Sequence, residues 1–246
     1  MIEFQDVLLG FDRHRVLDRI NFTAHYYDKI AIIVGSGEGK TTILKLLLGL
    51  THPDSGRILI DGQDITDLPE TGLRDARMNF SIVFQDGALF DSMDVRENVA
   101  FNLREQGGLS EEKIEKIVRE ILSKLGIEEA IDLMPEELSG GMQRRVAIAR
   151  SLASNNPKMM LYDEPTTGLD PITADNICAL MSELSSGVPP DRKGLIMVTH
   201  DVDAAAKTAE RFMYLNHGKI EFDGSLAALK SNDNPGLKKF IMEILI

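Results

Sequence analysis

Cysteine and tryptophan are almost absent from this chain, which has one cysteine, Cys178, and no tryptophan among its 246 residues. A single cysteine excludes a disulfide bond within the chain. Its neighbours Ile177 and Ala179 belong to an apolar helical pattern, which predicts a buried core thiol rather than a reactive one.

Long apolar segments are also missing. No run approaches the roughly 18 residues that a helix needs to cross a bilayer. The first residues, Met1–Asp6, contain no basic region followed by an apolar stretch, so they do not resemble a secretory signal. We therefore expect a soluble, cytoplasmic protein.

Basic residues are outnumbered, because 27 Lys and Arg stand against 39 Asp and Glu and give a formal net charge of −12. This balance argues against a general attraction to nucleic acid or to anionic lipid surfaces. We expect no nucleic-acid partner. The length suits one large α/β domain, or one such core with an inserted subdomain.

Short apolar runs alternate with helical patterns, which predicts a mainly parallel sheet flanked by helices. The runs expected to form buried strands are Ile30–Val34, Ile58–Ile60, Ser81–Phe84, Met159–Tyr162, Leu195–Val198 and Phe212–Leu215. Helices are expected at Thr41–Leu50, Pro171–Leu184 and Val202–Ala209. Glu3–Leu9 and Ile20–Tyr26 are expected to be antiparallel strands at one side of the sheet. A terminal hairpin is expected to turn at Asn216–Gly218.

Strand signals disappear within the segment 86–156. Apolar residues recur there at helical spacing over Ile114–Leu125, with Ser110 as a predicted cap and Gly126 as a predicted stop. We therefore predict one domain in three parts. These are an α/β core of residues 1–85 and 157–230, an inserted helical subdomain of residues 86–156, and a helical tail of residues 231–246.

A glycine-rich loop between a predicted strand and a predicted helix has the context of a phosphate-binding loop. Its Lys40 supplies a positive charge, and the Thr41 hydroxyl can ligate Mg²⁺. Val34 takes the place of the usual first glycine, and Glu38 puts a carboxylate into a loop built for a polyanion. We expect Glu38 to face solvent or an opposing subunit. An ordinary glycine-rich turn is the alternative for the whole segment.

Two adjacent carboxylates, Asp163 and Glu164, follow a predicted buried strand. Asp163 at a strand end can hold Mg²⁺ through water, and Glu164 can orient or deprotonate an attacking water. Considered alone, such a pair is as often a solvated turn or a helix cap.

Ser139, Gly140 and Gly141 open a predicted helix. The unpaired N–H groups and the positive dipole at a helix start make such a turn a possible anion site. Helix caps and loops often contain the same Ser-Gly-Gly sequence, which is the alternative interpretation.

Three more polar residues stand at the ends of predicted elements. Gln85 and His200 each end a strand, at the edge where open α/β sheets bind ligands. Asp170 precedes a proline that suits the first turn of a helix, so N-capping alone would explain it. A histidine at a strand end is likewise more often structural than catalytic.

Taken together and in order, these segments resemble the ATP-binding cassette of the ABC family. The matching motifs are Gly35–Thr42 (Walker A), Gln85 (Q-loop), Leu138–Gln143 (signature), Met159–Glu164 (Walker B), Gly168–Asp170 (D-loop) and His200 (switch histidine). The resemblance covers nearly the whole chain. It implies a P-loop NTPase (RecA-like) α/β core with an N-terminal antiparallel β region and an inserted α-helical subdomain.

The resemblance also implies ATP hydrolysis with Mg²⁺ by a homodimer, in which each ATP lies between the Walker A loop of one copy and the signature turn of the other. Within one copy, the residues implied to bind ATP are Phe11, Val16, Gly35, Ser36, Gly37, Gly39, Lys40, Thr41 and Thr42. Those implied to act from the second copy are Ser139, Gly140, Gly141 and Asp170. The implied Mg²⁺ ligands are Thr41, Gln85 and Asp163, and the implied catalytic residues are Glu164, His200 and Gln85.

An aromatic residue near the N-terminus is implied to stack on the adenine. Phe11 is the best candidate, with Val16 beside it. A phenylalanine in the core of an edge strand is the alternative.

Within the family, the segments Gln85–Phe90 and Asp163–Thr173 closely resemble the ATPase subunit of Mla/MCE-type lipid transporters. These systems move phospholipids or other hydrophobic molecules between bacterial envelope membranes. The resemblance implies an integral-membrane permease as partner, an MCE-type lipid-binding protein and a small accessory subunit. It also implies a location on the cytoplasmic face of the inner membrane. Family analogy places Ala88–Phe90 beside the coupling helix of the permease, although packing inside the helical subdomain is the alternative.

Two other functions remain open. Polar amino-acid importers share much of this sequence, so the chain is alternatively the ATPase of a polar-solute importer. A non-transport ABC ATPase that remodels a soluble partner is the third hypothesis.

The tail carries an apolar stripe at helical spacing, formed by Leu237, Phe240, Ile241, Ile244 and Leu245. This stripe either packs on the chain's own core or contacts the second cassette or an accessory subunit.

Overall fold

The computed structural model describes residues 1–11, 14–34, 39–85, 87–153, 157–187, 192–232 and 237–238. The predictions for Gly35, Ser36, Gly37 and Glu38 lie outside the described residues. So do those for the tail positions after Lys238.

The described chain alternates strands and helices. The strands are β1 (Ile2–Phe11), β2 (His14–Ala24), β3 (Lys29–Val34), β4 (Ser55–Ile60), β5 (Gln63–Asp64), β6 (Phe80–Val83), β7 (Met159–Asp163), β8 (Gly194–Thr199), β9 (Arg211–Asn216) and β10 (Lys219–Gly224). The helices are α1 (Lys40–Leu47), α2 (Glu70–Arg77), α3 (Val95–Gln106), α4 (Glu111–Lys124), α5 (Gly140–Ala153), α6 (Pro171–Leu184), α7 (Val202–Thr208) and α8 (Leu226–Lys230). Two short 3₁₀ turns lie at Glu128–Ala130 and Pro135–Glu137.

The main sheet has the strand order β10-β9-β3-β8-β7-β6. Strands β9, β3, β8, β7 and β6 run parallel, and β10 pairs antiparallel with β9 at the edge. Successive residues of β3 enter different core clusters, with Ala31 and Ile33 on one face and Ile30 and Ile32 on the other. A strand that is covered on both faces must be apolar throughout, which explains the continuous apolar runs in the sequence.

A second, four-stranded sheet has the order β2-β1-β4-β5 and is antiparallel. It corrects one expectation, because Ile58–Ile60, expected among the strands of the parallel sheet, lies in β4. The burial pattern of β4 explains this placement. Ile58 and Ile60 are buried while Leu59 between them is half-buried and Arg57 is exposed. This alternation is typical of an antiparallel sheet with one open face.

Helices account for every regular element in the described part of the segment 87–153. The predicted start and stop of α4 are confirmed, because the Ser110 side chain accepts a hydrogen bond from the Lys113 N–H and Gly126 follows with a φ of 64°. The sequence analysis missed α2 and α3. The sequence does indicate a helix start at α3, because Asp94 and Glu97 form a capping box.

The C-terminal hairpin turns at His217 and Gly218, where φ is 47° and 77°. Two consecutive positive φ values match the right-handed twist of the flanking strands, so the predicted turn is confirmed. Leu237, the described member of the tail stripe, is fully buried in the core cluster that includes the helical subdomain. None of the helices in the described ranges is long and apolar enough to cross a membrane.

Candidate active site

Four neighbouring parallel strands each deliver a predicted site residue to the same edge of the sheet. Lys40 opens α1 after β3, while Gln85, Glu164 and His200 follow β6, β7 and β8. Parallel strands end at a common edge, so residues that are far apart in sequence meet there. The pair Lys40 and Glu164 is separated by 124 positions and is joined by a hydrogen bond.

Gly39 stands immediately before α1 and has a φ of 83°, in the left-handed region. A Cβ atom at this position would lie 2.2 Å from Cγ1 of Val16. Both the backbone conformation and the close approach of Val16 therefore require glycine. Gly39, Lys40, Thr41 and Thr42 line a cavity of about 290 Å³, where the start of a helix and a lysine face a potential anion.

Val34 departs from the usual phosphate-loop pattern, and its place in the fold shows why this is tolerated. It is the last residue of β3, pairs with Leu215 of β9 and is fully buried. Its backbone is not among those with positive φ. A side chain therefore costs nothing here and adds to the core.

Asp163 ends β7 and accepts a hydrogen bond through Oδ2 from the Thr41 hydroxyl at 2.7 Å. Its other oxygen, Oδ1, is buried without a partner among the described residues. Burial raises the pKa of Asp163, and the neighbouring Glu164 charge adds to the rise. A buried carboxylate oxygen without a donor is costly unless something satisfies it. A hydrated Mg²⁺ would do so, since it binds through one or two carboxylates together with water and phosphate oxygens.

Glu164 has the densest set of polar contacts in the site. Lys40 Nζ lies 2.5 Å from its Oε1, and His200 Nδ1 lies 2.8 Å from Oε1 and 2.9 Å from Oε2. The Thr167 and Thr199 hydroxyls donate to Oε2 at 2.9 Å and 3.2 Å. The side chain is fixed from four directions, and the residue is only 2% exposed.

The backbone of Glu164 is strained, because its φ of 48° is in a region that non-glycine residues rarely adopt. Such conformations cost about 1–3 kcal/mol and persist where the surroundings enforce them, often at functional sites. Burial alone would raise the pKa of Glu164, but hydrogen bonds from Lys40, His200 and Thr167 outweigh it and lower the pKa. The carboxylate is therefore ionised at neutral pH and held in one orientation.

Adjacent carboxyl groups thus have pKa values shifted in opposite directions. Asp163, with its raised pKa, accepts from Thr41 through Oδ2, and its Oδ1 has no partner among the described residues. Glu164, with its lowered pKa, is an acceptor surrounded by donors. The two neighbouring carboxyl groups therefore have different electrostatic environments, as pairs of titratable groups with separate roles often do.

The Thr167 and Thr199 contacts were not anticipated from the sequence. Thr199 directly precedes His200, and Thr167 lies three residues after Glu164. A threonine next to a predicted site residue is a weak signal, because threonine is common at strand ends and turns. The Thr167 contact is local, whereas only the sheet order, with β7 beside β8, brings the Thr199 hydroxyl to the same carboxylate.

Ser139, Gly140 and Gly141 are not part of this cluster within one chain. The Ser139 hydroxyl oxygen accepts a hydrogen bond from the Met142 N–H at 3.3 Å. A Cβ atom at Gly141 would lie 2.5 Å from Cγ2 of Thr173, so the turn packs closely on the start of α6. Ser139 and Gly140 are exposed, which leaves this helix start open to a molecule from outside the chain.

Asp170 caps α6. Its Oδ1 accepts from the N–H groups of Ile172 and Thr173, and its Oδ2 accepts from the Thr173 hydroxyl. The capping interpretation therefore explains its contacts within one chain. A role on the second copy stays a prediction.

Gln85 is exposed in a turn after β6, beside the signature turn. It lines a cavity of about 190 Å³ together with Gly140, Arg144 and the segment Thr167–Leu169. In this conformation its neighbours are those residues rather than Asp163, so its roles as a Mg²⁺ ligand and as a catalytic residue stay predictions.

Phe11 is the last residue of β1 and is 54% exposed. An exposed ring at a strand end is available for stacking, whereas a core phenylalanine would be buried. Val16, on the paired strand β2, lies against Gly39, at the end of the phosphate loop where α1 begins. The structure thus places Val16 at the loop and exposes the Phe11 ring, and the stacking role of Phe11 stays a prediction.

Comparisons with known proteins agree with the interpretation of this site. A family model described as ABC transporter matches residues 17–167. The intermembrane phospholipid transport ATP-binding protein MlaF of Escherichia coli K12 is 37% identical over 241 residues, covering 98% of this chain and 88% of the relative. The glutamine transport ATP-binding protein GlnQ of the same organism is 36% identical over 245 residues, covering 99% and 100%.

Among solved structures, a dimeric ATP-binding cassette in a post-hydrolysis state with bound ADP and phosphate matches with a TM-score of 0.83. It is 32% identical, and the match covers 92% of this chain and 99% of that one. The two curated relatives are equally similar to this chain, so percentage identity does not separate a phospholipid system from an amino-acid system.

Proposed function

The chain belongs to the ABC transporter family and is an ATPase, and from this premise we propose that it powers a membrane permease that moves phospholipid or another hydrophobic molecule. The observation that carries the catalytic part is the cluster of Lys40, Glu164 and His200, beside which Oδ1 of Asp163 has no partner among the described residues. Each of these groups has a distinct task in phosphoryl transfer.

Glu164 is the group that orients and deprotonates the attacking water. Its lowered pKa keeps it ionised, and the Thr167 and Thr199 hydroxyls hold its Oε2. Lys40 lies at the start of α1, where backbone N–H groups and its ammonium would hold the phosphates. His200 Nδ1 lies 3.3 Å from Lys40 Nζ, so both would face the transferred phosphoryl group.

Thr41 and Asp163 would hold Mg²⁺, and this assignment is supported by Oδ1 of Asp163, which has no partner within the described part of the chain. When bound, the ion would neutralise charge on the β- and γ-phosphates. Phe11 would stack on the adenine, with Val16 packed below it against the loop.

A second copy of the chain would complete the site. The signature turn is exposed and bears a helix start without a phosphate-binding lysine, so its ligand would be a nucleotide held by another copy. Ile172, in the first turn of α6, is 75% exposed and directly precedes Thr173, on which this turn packs through Gly141. An apolar side chain so exposed would be covered in the dimer. The dimeric solved relative supports this arrangement.

The permease would dock in a groove of about 770 Å³ between α2, β6 and α3. Phe90 is 40% exposed there, and its ring lies 4.7 Å from that of Phe101. The Arg150 guanidinium lies over the Phe90 ring at 5.3 Å. Leu89 beside it packs partly into the core, so packing inside the subdomain accounts for Leu89 and leaves Phe90 for a partner.

The charge of this groove indicates the chemistry of the docking segment. Among the described residues that line it, Arg74, Arg77 and Arg150 stand against one acid, Glu70. The surplus of positive charge is notable in a chain whose formal net charge is −12. We therefore expect a docking segment with an acidic side chain next to an apolar one.

The cargo assignment rests on the segment Gln85–Phe90 and on the similarity to MlaF. An MCE-type lipid-binding protein and a small accessory subunit would complete the assembly, and the chain would lie on the cytoplasmic face of the inner membrane. An amino-acid importer is the second candidate, favoured by the equal similarity to GlnQ.

Affinity purification of the tagged chain from native membranes in mild detergent tests this function. A co-eluting integral-membrane subunit with bound phospholipid is expected, identified by mass spectrometry of protein and lipid. A permease without lipid whose ATPase responds to an amino acid would support the importer instead. Absence of any membrane subunit would overturn the transport proposal.

Phe90→Ser tests the docking groove. We expect it to abolish co-elution of the permease while ATP binding is retained. Leu109→Ser is the matched control, because Leu109 is 39% exposed and does not line the groove. Equal co-elution with both variants would refute the groove as the docking site.

A further inference from the structure

Arg144 is a buried cation one turn into α5. It is only 7% exposed, and its guanidinium joins two segments that are far apart in the chain. Nη1 donates to the Phe84 carbonyl oxygen at 2.9 Å, and Nη2 donates to the Thr167 carbonyl oxygen at 3.2 Å. The planar fork of an arginine fixes the relative position of two acceptors, which a single ammonium group cannot do.

Each of these carbonyl groups stands next to a residue of the proposed site. Phe84 directly precedes Gln85. Thr167 donates its hydroxyl to Glu164 Oε2 at 2.9 Å, and its backbone N–H donates to the Glu164 carbonyl oxygen at 3.3 Å. The Arg144 fork therefore holds the turn that supports the base and the turn that carries Gln85.

The same arginine is tied to the signature turn by α5 itself. The Gln143 N–H donates to the Ser139 carbonyl oxygen at 2.9 Å, so Arg144 lies within the first turns of the helix that Ser139 caps. A Cβ atom at Gly140 would lie 3.5 Å from Cδ2 of Leu169, which places the signature turn on the segment after Thr167.

We propose that Arg144 is a positioning residue that couples the signature turn to Glu164 and Gln85 of the same subunit. This inference rests on the proposed function, because it assigns to Arg144 the link between the nucleotide of the second copy, at Ser139, and the base of its own site. A shift of the signature turn moves α5, and Arg144 carries that shift to the Thr167 carbonyl and so to the Thr167 hydroxyl on Glu164.

Arg144→Gln removes the guanidinium group but keeps a polar side chain. Arg144→Lys keeps the positive charge but replaces the planar guanidinium with a single ammonium group. Arg145→Gln is the matched control, because the adjacent arginine donates to the Leu125 carbonyl oxygen at 2.7 Å, at the end of α4. The full chain is assayed together with any membrane subunit that co-purifies. The kcat and KM for ATP, equilibrium binding of a fluorescent ATP analogue and the melting temperature are measured for each variant.

We expect Arg144→Gln to lower kcat about tenfold or more, because a misplacement of about 1 Å in a catalytic group can cost about 100-fold. KM and nucleotide affinity should stay within about threefold, since the Walker A loop is not touched. Arg144→Lys should recover only part of the rate. Arg145→Gln should keep kcat within about twofold of the unmodified chain, because Leu125 is remote from the site.

A double-mutant cycle with Thr167→Val separates coupling from simple loss of stability. If Arg144 acts through Thr167, both substitutions interrupt the same link to Glu164. The double variant should then be no slower than the slower single variant. All rates are taken well below the lowest melting temperature, so that the folded fraction is the same.

The proposal is overturned if Arg144→Gln changes kcat no more than Arg145→Gln does. It is also overturned if the rate losses of Arg144→Gln and Thr167→Val multiply in the double variant. Normal ATP hydrolysis after Glu164→Gln refutes instead the role of Glu164 as the base in the proposed function, so the two failures are distinguishable.

Discussion

Replacing Glu164 with glutamine is the sharpest test of the catalytic cluster. Glutamine keeps the size of the side chain, and its amide oxygen can still accept hydrogen bonds from Thr167 and Thr199. It has no negative charge and cannot take a proton from water. The structure therefore predicts a loss that is confined to the chemical step.

The magnitude follows from the role. A positioned general base contributes about 10²–10⁴-fold, so kcat should fall by about 100-fold or more, or about 3 kcal/mol or more in activation free energy. ATP binding should be kept or become tighter. Lys40 Nζ lies 2.5 Å from Glu164 Oε1, and loss of that charge releases the ammonium for the phosphates.

The folded chain should become less stable when no nucleotide is present. The Lys40 and Glu164 side chains are only 19% and 3% exposed, so the variant leaves a nearly buried ammonium without its counterion. We expect the free energy of unfolding to fall by about 1–3 kcal/mol. Addition of ATP should restore much of this loss, because the phosphates replace the missing carboxylate.

Phosphate release measures kcat, a fluorescent ATP analogue measures binding, and urea titration with and without ATP measures the free energy of unfolding. Size-exclusion chromatography with and without ATP measures dimerisation. The variant should bind ATP, dimerise with it and fail to turn it over. Asp163→Asn, the same carboxylate-to-amide change at the neighbouring residue, is the matched control. It should instead weaken the dependence of ATP binding on Mg²⁺. Hydrolysis by Glu164→Gln above about a tenth of the unmodified rate would refute Glu164 as the base.

Three further predictions concern other described residues. Tyr162 has a buried hydroxyl without a partner among the described residues, so Tyr162→Phe should raise the free energy of unfolding by about 1 kcal/mol in urea titrations, and a decrease would show that the hydroxyl is hydrogen-bonded. Burial raises the pKa of Cys178 to about 11, so the folded chain should not react with a thiol reagent at pH 8 while the urea-unfolded chain reacts at once; rapid reaction of the folded chain would contradict its burial. Gly39→Ala should weaken ATP binding at least about tenfold, because Cβ would meet Val16 and φ is positive, and unchanged affinity would disprove the close approach.

Strands were predictable where burial is complete. Ile30–Val34 and Leu195–Val198 are continuous apolar runs because their strands are covered on both faces. The register and the neighbours of each strand were not predictable. Ile58–Ile60 shows this limit, because three apolar residues suit either sheet, and only the half-exposed pattern of the whole β4 places it in the antiparallel one.

In the site, the residues with strong chemical signals were found from the sequence, and those that support them were not. Lys40, Glu164 and His200 have unusual positions next to strands and glycine-rich turns. Thr199 and Arg144 have no such signal, since a threonine at a strand end and an arginine on a helix are common.

The sequence by itself determined what is local in this protein. The alternation of apolar runs and helices, the left-handed glycine before Lys40 and the cap at Ser110 depend on residues close together in the chain. The tertiary structure alone decided that Glu164 has a lowered pKa and a fixed orientation while Asp163, one residue away, has a raised pKa and an oxygen without a partner among the described residues. The reason is that electrostatic environment depends on which strands are neighbours. β3 and β8 bring Lys40 and His200 to Glu164, and no pattern within β7 contains that information.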